Sequence, residues 1–118
     1  MLRKNEFCKV INKFTMDRIE QLHKLLELQP DDVFLHYALA MELVSLNKND
    51  EAIAKLESIR SSNPDYLPLY YQLAGLYEKT EQTDNAVNIY EIGMQVAERS
   101  GDKKTFGELR SAYEELTF

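Results

Sequence analysis

The chain has 118 residues, 44% of them hydrophobic, with four Gly and three Pro, which supports one domain with its own core and excludes disordered and fibrous classes. A net charge of −6 argues against a phosphate-binding surface, and the single cysteine, Cys8, permits neither an internal disulfide nor a cysteine-based metal cluster. No apolar run reaches the ~18 residues of a transmembrane helix, and Val10–Ile11 is followed at once by Asn12 and Lys13, so a cytoplasmic protein without a secretory leader is expected.

Residues 1–14 set Arg3, Lys4, Lys9 and Lys13 against Glu6, a local charge of +3. Phe7, Val10, Ile11 and Phe14 stand at helical spacing, which allows a docked helix, but the segment matches nothing else in the chain. A basic, poorly ordered tail is the expectation. The next segment, 15–28, reads as a helix: Thr15 offers an N-cap, Asp17 sits in the favoured first turn, and Pro30 stops it. Ile19, Leu22, Leu25, Leu26 and Leu28 give it a broad apolar face that needs a neighbour.

From Pro30 to Glu98 the same design is written twice. A shift of 34 residues lays Pro30, Asp31, Leu35, Tyr37, Leu39, Ala40, Asp50, Ala52 and Glu57 on Pro64, Asp65, Leu69, Tyr71, Leu73, Ala74, Asp84, Ala86 and Glu91. Nine identities stand against about two expected by chance at ordinary residue frequencies. A period of this length is the mark of stacked helical hairpins, none able to bury its apolar face alone. In each copy the first helix is expected over 32–46 and 66–79, with Asp31 and Asp65 as N-caps. The second is expected over 50–61 and 84–98, with Asn49 and Thr83 as N-caps. Asn47 suits a left-handed turn between the two helices, whereas Glu81, at the matching position, suits it less.

The first helices carry two apolar stripes. One is His36, Leu39, Ala40 and Leu43, matched by Tyr70, Leu73, Ala74 and Tyr77. The other is Phe34, Tyr37, Met41 and Val44, matched by Pro68, Tyr71, Gly75 and Glu78. Such helices belong to an inner layer, while the second helices, with one main stripe each (Ala52, Ile53, Leu56, Ile59 and Ala86, Val87, Tyr90, Gly93), form an outer one. The small residues Ala40, Ala52, Ala74 and Ala86 mark where paired helices come closest. A sixth helix over 103–116 repeats the stripe as Phe106, Leu109, Arg110 and Tyr113, displaced by 36 residues, and its polar opposite face suits the end of a stack.

These residues resemble the tetratricopeptide repeat family, whose signature is an aromatic, Leu-Gly/Ala three and four residues on, then Tyr, Ala, an aromatic and Pro. The second copy supplies Tyr70, Leu73, Ala74, Tyr77, Ala86 and Tyr90, and the first supplies His36, Leu39, Ala40, Leu43, Ala52, Leu56 and Pro64. Departures are His36 and Leu43 for aromatics, Gly93 for a small apolar residue, and Glu98 for the second Pro. The resemblance implies an all-α, right-handed superhelical stack of antiparallel helical hairpins with about six helices. Its parts would be the tail at 1–14 and one domain over 15–118. Within the domain fall a lone helix at 15–29, repeat one at 31–64, repeat two at 65–100 and a capping helix at 102–117.

No catalytic set emerges. His23 and Glu27 share a helix face at i, i+4, but two ligands make a weak metal site and a solvated pair is the plainer reading; His36 replaces a core-edge aromatic. Neither a Gly-rich phosphate loop nor a Ser/His/Asp or Cys/His set is present, so no enzyme, cofactor or metal is expected. What the resemblance implies instead is a protein- or peptide-binding scaffold whose inner stripe lines a concave groove. Carried over, the groove residues are Phe34, Tyr37, Met41, Val44, Pro68, Tyr71, Gly75, Glu78 and Lys79, with Lys104 and Glu114 closing one end. Family members that clamp a carboxyl-terminal tail use Lys and Asn where this chain has Tyr37, Met41 and Ala38, so that clamp is absent. An apolar, aromatic groove suits an amphipathic helix or extended apolar segment of a partner protein, with a homodimer as the second candidate and the chain's own residues 1–14 as the third.

Overall fold

Proline, small residues and left-handed turns set the architecture, which the computed structural model describes for residues 18–118; the expected tail at 1–14 and the Thr15 cap lie outside the described residues. Helix α1 covers 18–28 of the described chain and ends ahead of Pro30, where the amide of Gln29 still reaches Leu25 O at 2.9 Å. Five helices follow: α2 Val33–Ser45, α3 Asn49–Ser62, α4 Pro68–Lys79, α5 Thr83–Ser100 and α6 Lys103–Thr117. From α2 onward each packs on the next, so the described residues form an all-α stack of hairpins.

Three turns share one hydrogen-bonding pattern. After α2, Lys48 N donates to Leu43 O (3.0 Å) and Asn47 N to Val44 O (2.9 Å). After α4, Gln82 N donates to Tyr77 O (2.7 Å) and Glu81 N to Glu78 O (3.0 Å); after α5, Asp102 N donates to Ala97 O (3.0 Å) and Gly101 N to Glu98 O (3.1 Å). Each is a Schellman closure, which places one residue in the left-handed region: Asn47 at φ 57°, Glu81 at φ 61° and Gly101 at φ 75°. Backbone geometry is thus the same in all three, while only the last carries the residue that adopts it without cost.

Helix starts differ from the sequence reading. Asp32, not Asp31, caps α2, with its Oδ1 accepting from Leu35 N at 3.1 Å. Asp65 caps nothing, because Pro68, which has no N–H and a fixed φ, becomes the first residue of α4. Asn49 and Thr83 are the first helical residues of α3 and α5, preceded by Lys48 and Gln82 without side-chain caps. Asp102 caps α6, accepting from Thr105 N at 3.0 Å and Thr105 Oγ1 at 2.8 Å.

The core follows the first stripe. Leu69, Leu73, Ala74, Leu56 and Leu109 are fully enclosed, and Ala40, Ala52, Ala74 and Ala86 are each 0% exposed, as small residues between closely packed helices are. Gly93 belongs to the same set: a Cβ there would stand 2.8 Å from Tyr70 Cβ. Replacing the family's usual small apolar residue by Gly lets α5 lie against the root of Tyr70.

Candidate functional site

Two adjacent tyrosines on α4 separate core from candidate site. Tyr70 is 1% exposed and its hydroxyl donates to the carbonyl of Pro64, while Tyr71, one position on, is 48% exposed. A helix turns about 100° per residue, so the first stripe locks α4 to its neighbours and the second faces outward on the inner layer.

The structure sorts the expected groove residues into two groups. Tyr37, Met41 and Val44 on α2 are half-buried and pack on the edge of the core. Phe34 (65% exposed), Tyr71, Pro68, Glu78 and Lys79 are exposed. Gly75 adds open space, since a Cβ there would meet nothing within 4 Å. Tyr37 is further fixed by an edge-on contact with Tyr66, ring centroids 5.5 Å apart and planes at 60°. Burial, and then Tyr66, push its hydroxyl pKa up.

Tyr37, Pro68 and Tyr71 come together around a cavity of about 330 Å³, with Leu67, Gln72, Asp102, Thr105 and Glu108 completing its wall. The last three come from the α5–α6 turn and α6. Sequence reading placed Lys104 and Glu114 at this end, but Glu114 is taken by Arg110 Nε at 2.8 Å. The two-residue insertion before α6 hid the register that brings Glu108 to this cavity; the spacing of Thr105 and Glu108 beside the apolar Leu109 was the available signal. Further along, Tyr90 Oη donates to Glu78 Oε2 at 2.5 Å, and burial, that bond and the Glu78 charge raise the Tyr90 pKa strongly. Lys79 turns away, its Nζ 3.5 Å from Asn47 Oδ1 on the α2–α3 turn.

His36 does not simply pack. Its Nε2 lies 2.7 Å from Pro30 O and its Nδ1 2.7 Å from Lys55 Nζ. With Nε2–H donating to the carbonyl, Nδ1 accepts from the Lys55 amine, so the ring bridges α2 and α3. The bond to Pro30 is the first-repeat counterpart of Tyr70 and Pro64, which explains how His replaces an aromatic here. His23 and Glu27 are exposed on α1, and among the described residues no three His, Cys, Asp or Glu side chains converge on one point. No helix among the described residues is long and apolar enough to cross a membrane.

Stacked hairpins of 34-residue period, fully buried alanines between the helices and an inner face of exposed aromatics define an α-helical repeat scaffold. The family model described as tetratricopeptide repeat matches residues 67–93. A solved tetratricopeptide repeat domain protein from Salinibacter ruber is 36% identical, with a TM-score of 0.72 over 75% of this chain and 89% of its own. The chain belongs to the tetratricopeptide repeat family. It is also 35% identical over 85 residues to a repeat-containing protein of Methanocaldococcus jannaschii, of whose length it spans only 26%. PcrH, solved in complex with the chaperone binding region of PopD, shares the fold at a TM-score of 0.78 and 13% identity, over 94% of this chain and 84% of that one.

Proposed function

We propose that the protein is a non-catalytic interaction module that binds a peptide or amphipathic helix of another protein along the inner face of α2, α4 and α6. The observation that carries this reading is the contrast at Tyr70 and Tyr71: one ring is spent on the core, and the other is left half in solvent beside a cavity. Aromatic rings displayed on a rigid helical layer lose little conformational entropy when a partner covers them. The groove is small, so affinity is expected in the micromolar range, roughly. PcrH, with the same fold, holds a region of another protein, which supports a protein partner here.

Phe34→Ala with Tyr71→Ala tests the reading, since both rings are exposed and their loss should leave the thermal midpoint near wild type. Affinity capture from cells of the source organism should then lose the partner retained by the wild-type chain. A double variant that fails to fold would assign these rings to the core instead. The alternative, a self-associating structural module, is favoured by Leu25 (44% exposed) and Leu28 (80% exposed) on α1. Sedimentation over a concentration series separates the two: a strictly monomeric chain removes self-association.

A further inference from the structure

The cavity beside Tyr71 is chemically two-sided. Tyr37, Leu67, Pro68 and Tyr71 form an apolar, aromatic wall, and Asp102 and Glu108 bring two carboxylates opposite, with no Lys or Arg among the described residues lining it. Asp102 is committed to capping α6. Glu108 is exposed, and among the described residues it pairs with no cation; the same holds for Glu78 and Glu115 farther along the groove. At about 330 Å³ the space accepts a long side chain, not a whole helix turn.

Resting on the groove reading above, we propose that the bound segment of the partner is cationic, and that it inserts an Arg or Lys side chain between Tyr71 and Glu108. The alkyl stem would lie on Pro68 and Tyr71, the charged head would face the Glu108 carboxylate, and a guanidinium would gain further from stacking on the tyrosine ring. Glu78 and Glu115 extend the negative face, so the remainder of the segment is expected to be basic on its polar side. Leaving Glu108 unpaired against a neutral or acidic segment would forfeit these terms and add repulsion, which makes the pocket a specificity device.

Random 16-residue peptides displayed on phage and selected on the full chain supply the probe, with affinities then measured by fluorescence anisotropy on synthetic copies. Selected peptides should carry an Arg or Lys whose change to Gln weakens binding about tenfold. Glu108→Gln should weaken the cationic peptide about as much and leave its Gln form nearly unaffected, the coupling expected of a direct pair. Peptides that lose binding on Tyr71→Ala yet are indifferent to both cation removal and Glu108→Gln would overturn the cationic pocket while leaving the groove reading intact. Peptides indifferent to Tyr71→Ala as well, or no selected peptide at all, would overturn both. A synthetic peptide of residues 1–14 that displaces every selected sequence would show the occupant to be this chain's own segment and contradict an external partner.

Discussion

Tyr77 Oη donates to Glu57 Oε1 at 2.7 Å, tying the first helix of repeat two to the second helix of repeat one. The contact recurs one repeat later, where Tyr113 Oη faces Glu91 Oε1 at 3.3 Å, and Glu57 and Glu91 are among the nine positions the two copies share. Arg60 holds the other oxygen of Glu57 through Nε at 2.9 Å and Nη2 at 2.7 Å, so both oxygens of the acceptor carboxylate are engaged. A polar staple of this kind specifies the register between repeats, which an apolar interface alone leaves freer to slide.

Tyr77→Phe removes the staple and leaves the ring. Because the acceptor is ionised and its partner largely buried, the loss should be about 1.5–3 kcal/mol in urea unfolding followed by circular dichroism. Tyr113→Phe, at a longer and exposed contact, should cost only a few tenths of that.

The same bond sets behaviour at high pH. Burial first, then the bond to Glu57 and its charge, push the Tyr77 hydroxyl up from 10.0 to about 12, and Tyr90 is raised in the same direction by burial and Glu78. Groups whose folded pKa lies above the unfolded one contribute stability that is fully present below pH 10 and is lost as pH rises through about 12. Lys55, lowered by burial from 10.5, acts with the opposite sign, and its small penalty fades on the approach to that window. Unfolding midpoints should therefore hold up to about pH 10 and then fall. Tyr77→Phe should make the fall shallower.

Gly93→Ala and Gly107→Ala should have opposite signs although both are helical glycines. At Gly93 the new Cβ would stand 2.8 Å from Tyr70 Cβ, an atom that cannot swing aside, and the overpacking should cost about 1–3 kcal/mol despite better helix propensity. At Gly107 nothing lies within 4 Å, and the gain should be about 0.5–1 kcal/mol. Thermal unfolding of the two variants decides this.

Glu81 adopts φ 61° without the freedom that Gly101 has at φ 75°. Its side chain is exposed and, among the described residues, forms no ion pair that argues for glutamate. Glu81→Gly should relieve the left-handed strain and stabilise by about 1 kcal/mol, read as a rise in urea midpoint with unchanged slope.

Much of the fold could be read from the sequence because its determinants are local. Ala40, Ala52, Ala74 and Ala86 announced fully buried positions, and Asn47 announced a left-handed turn. The helix starts were displaced because Asp31 and Asp32 both offer a cap, and only the path of the chain chooses between them; at α4 the fixed φ of Pro68 outweighed Asp65. Tyr71 was legible as an exposed ring from its place one step beyond a core stripe. Glu108 was not, since its approach depends on how α6 is rotated after the insertion. The bonds from Tyr77 to Glu57 and from Tyr90 to Glu78 join residues 20 and 12 apart on different helices, a relation no periodicity within one helix contains.

Site-specific photo-crosslinking in living cells tests the inner-face assignment most directly. Benzoylphenylalanine placed at Tyr71 should capture a discrete partner protein on illumination, whereas the same probe at Asn88, exposed on α5, should capture none. Capture from Asn88 with none from Tyr71 would put the binding surface on the outer layer and contradict the account.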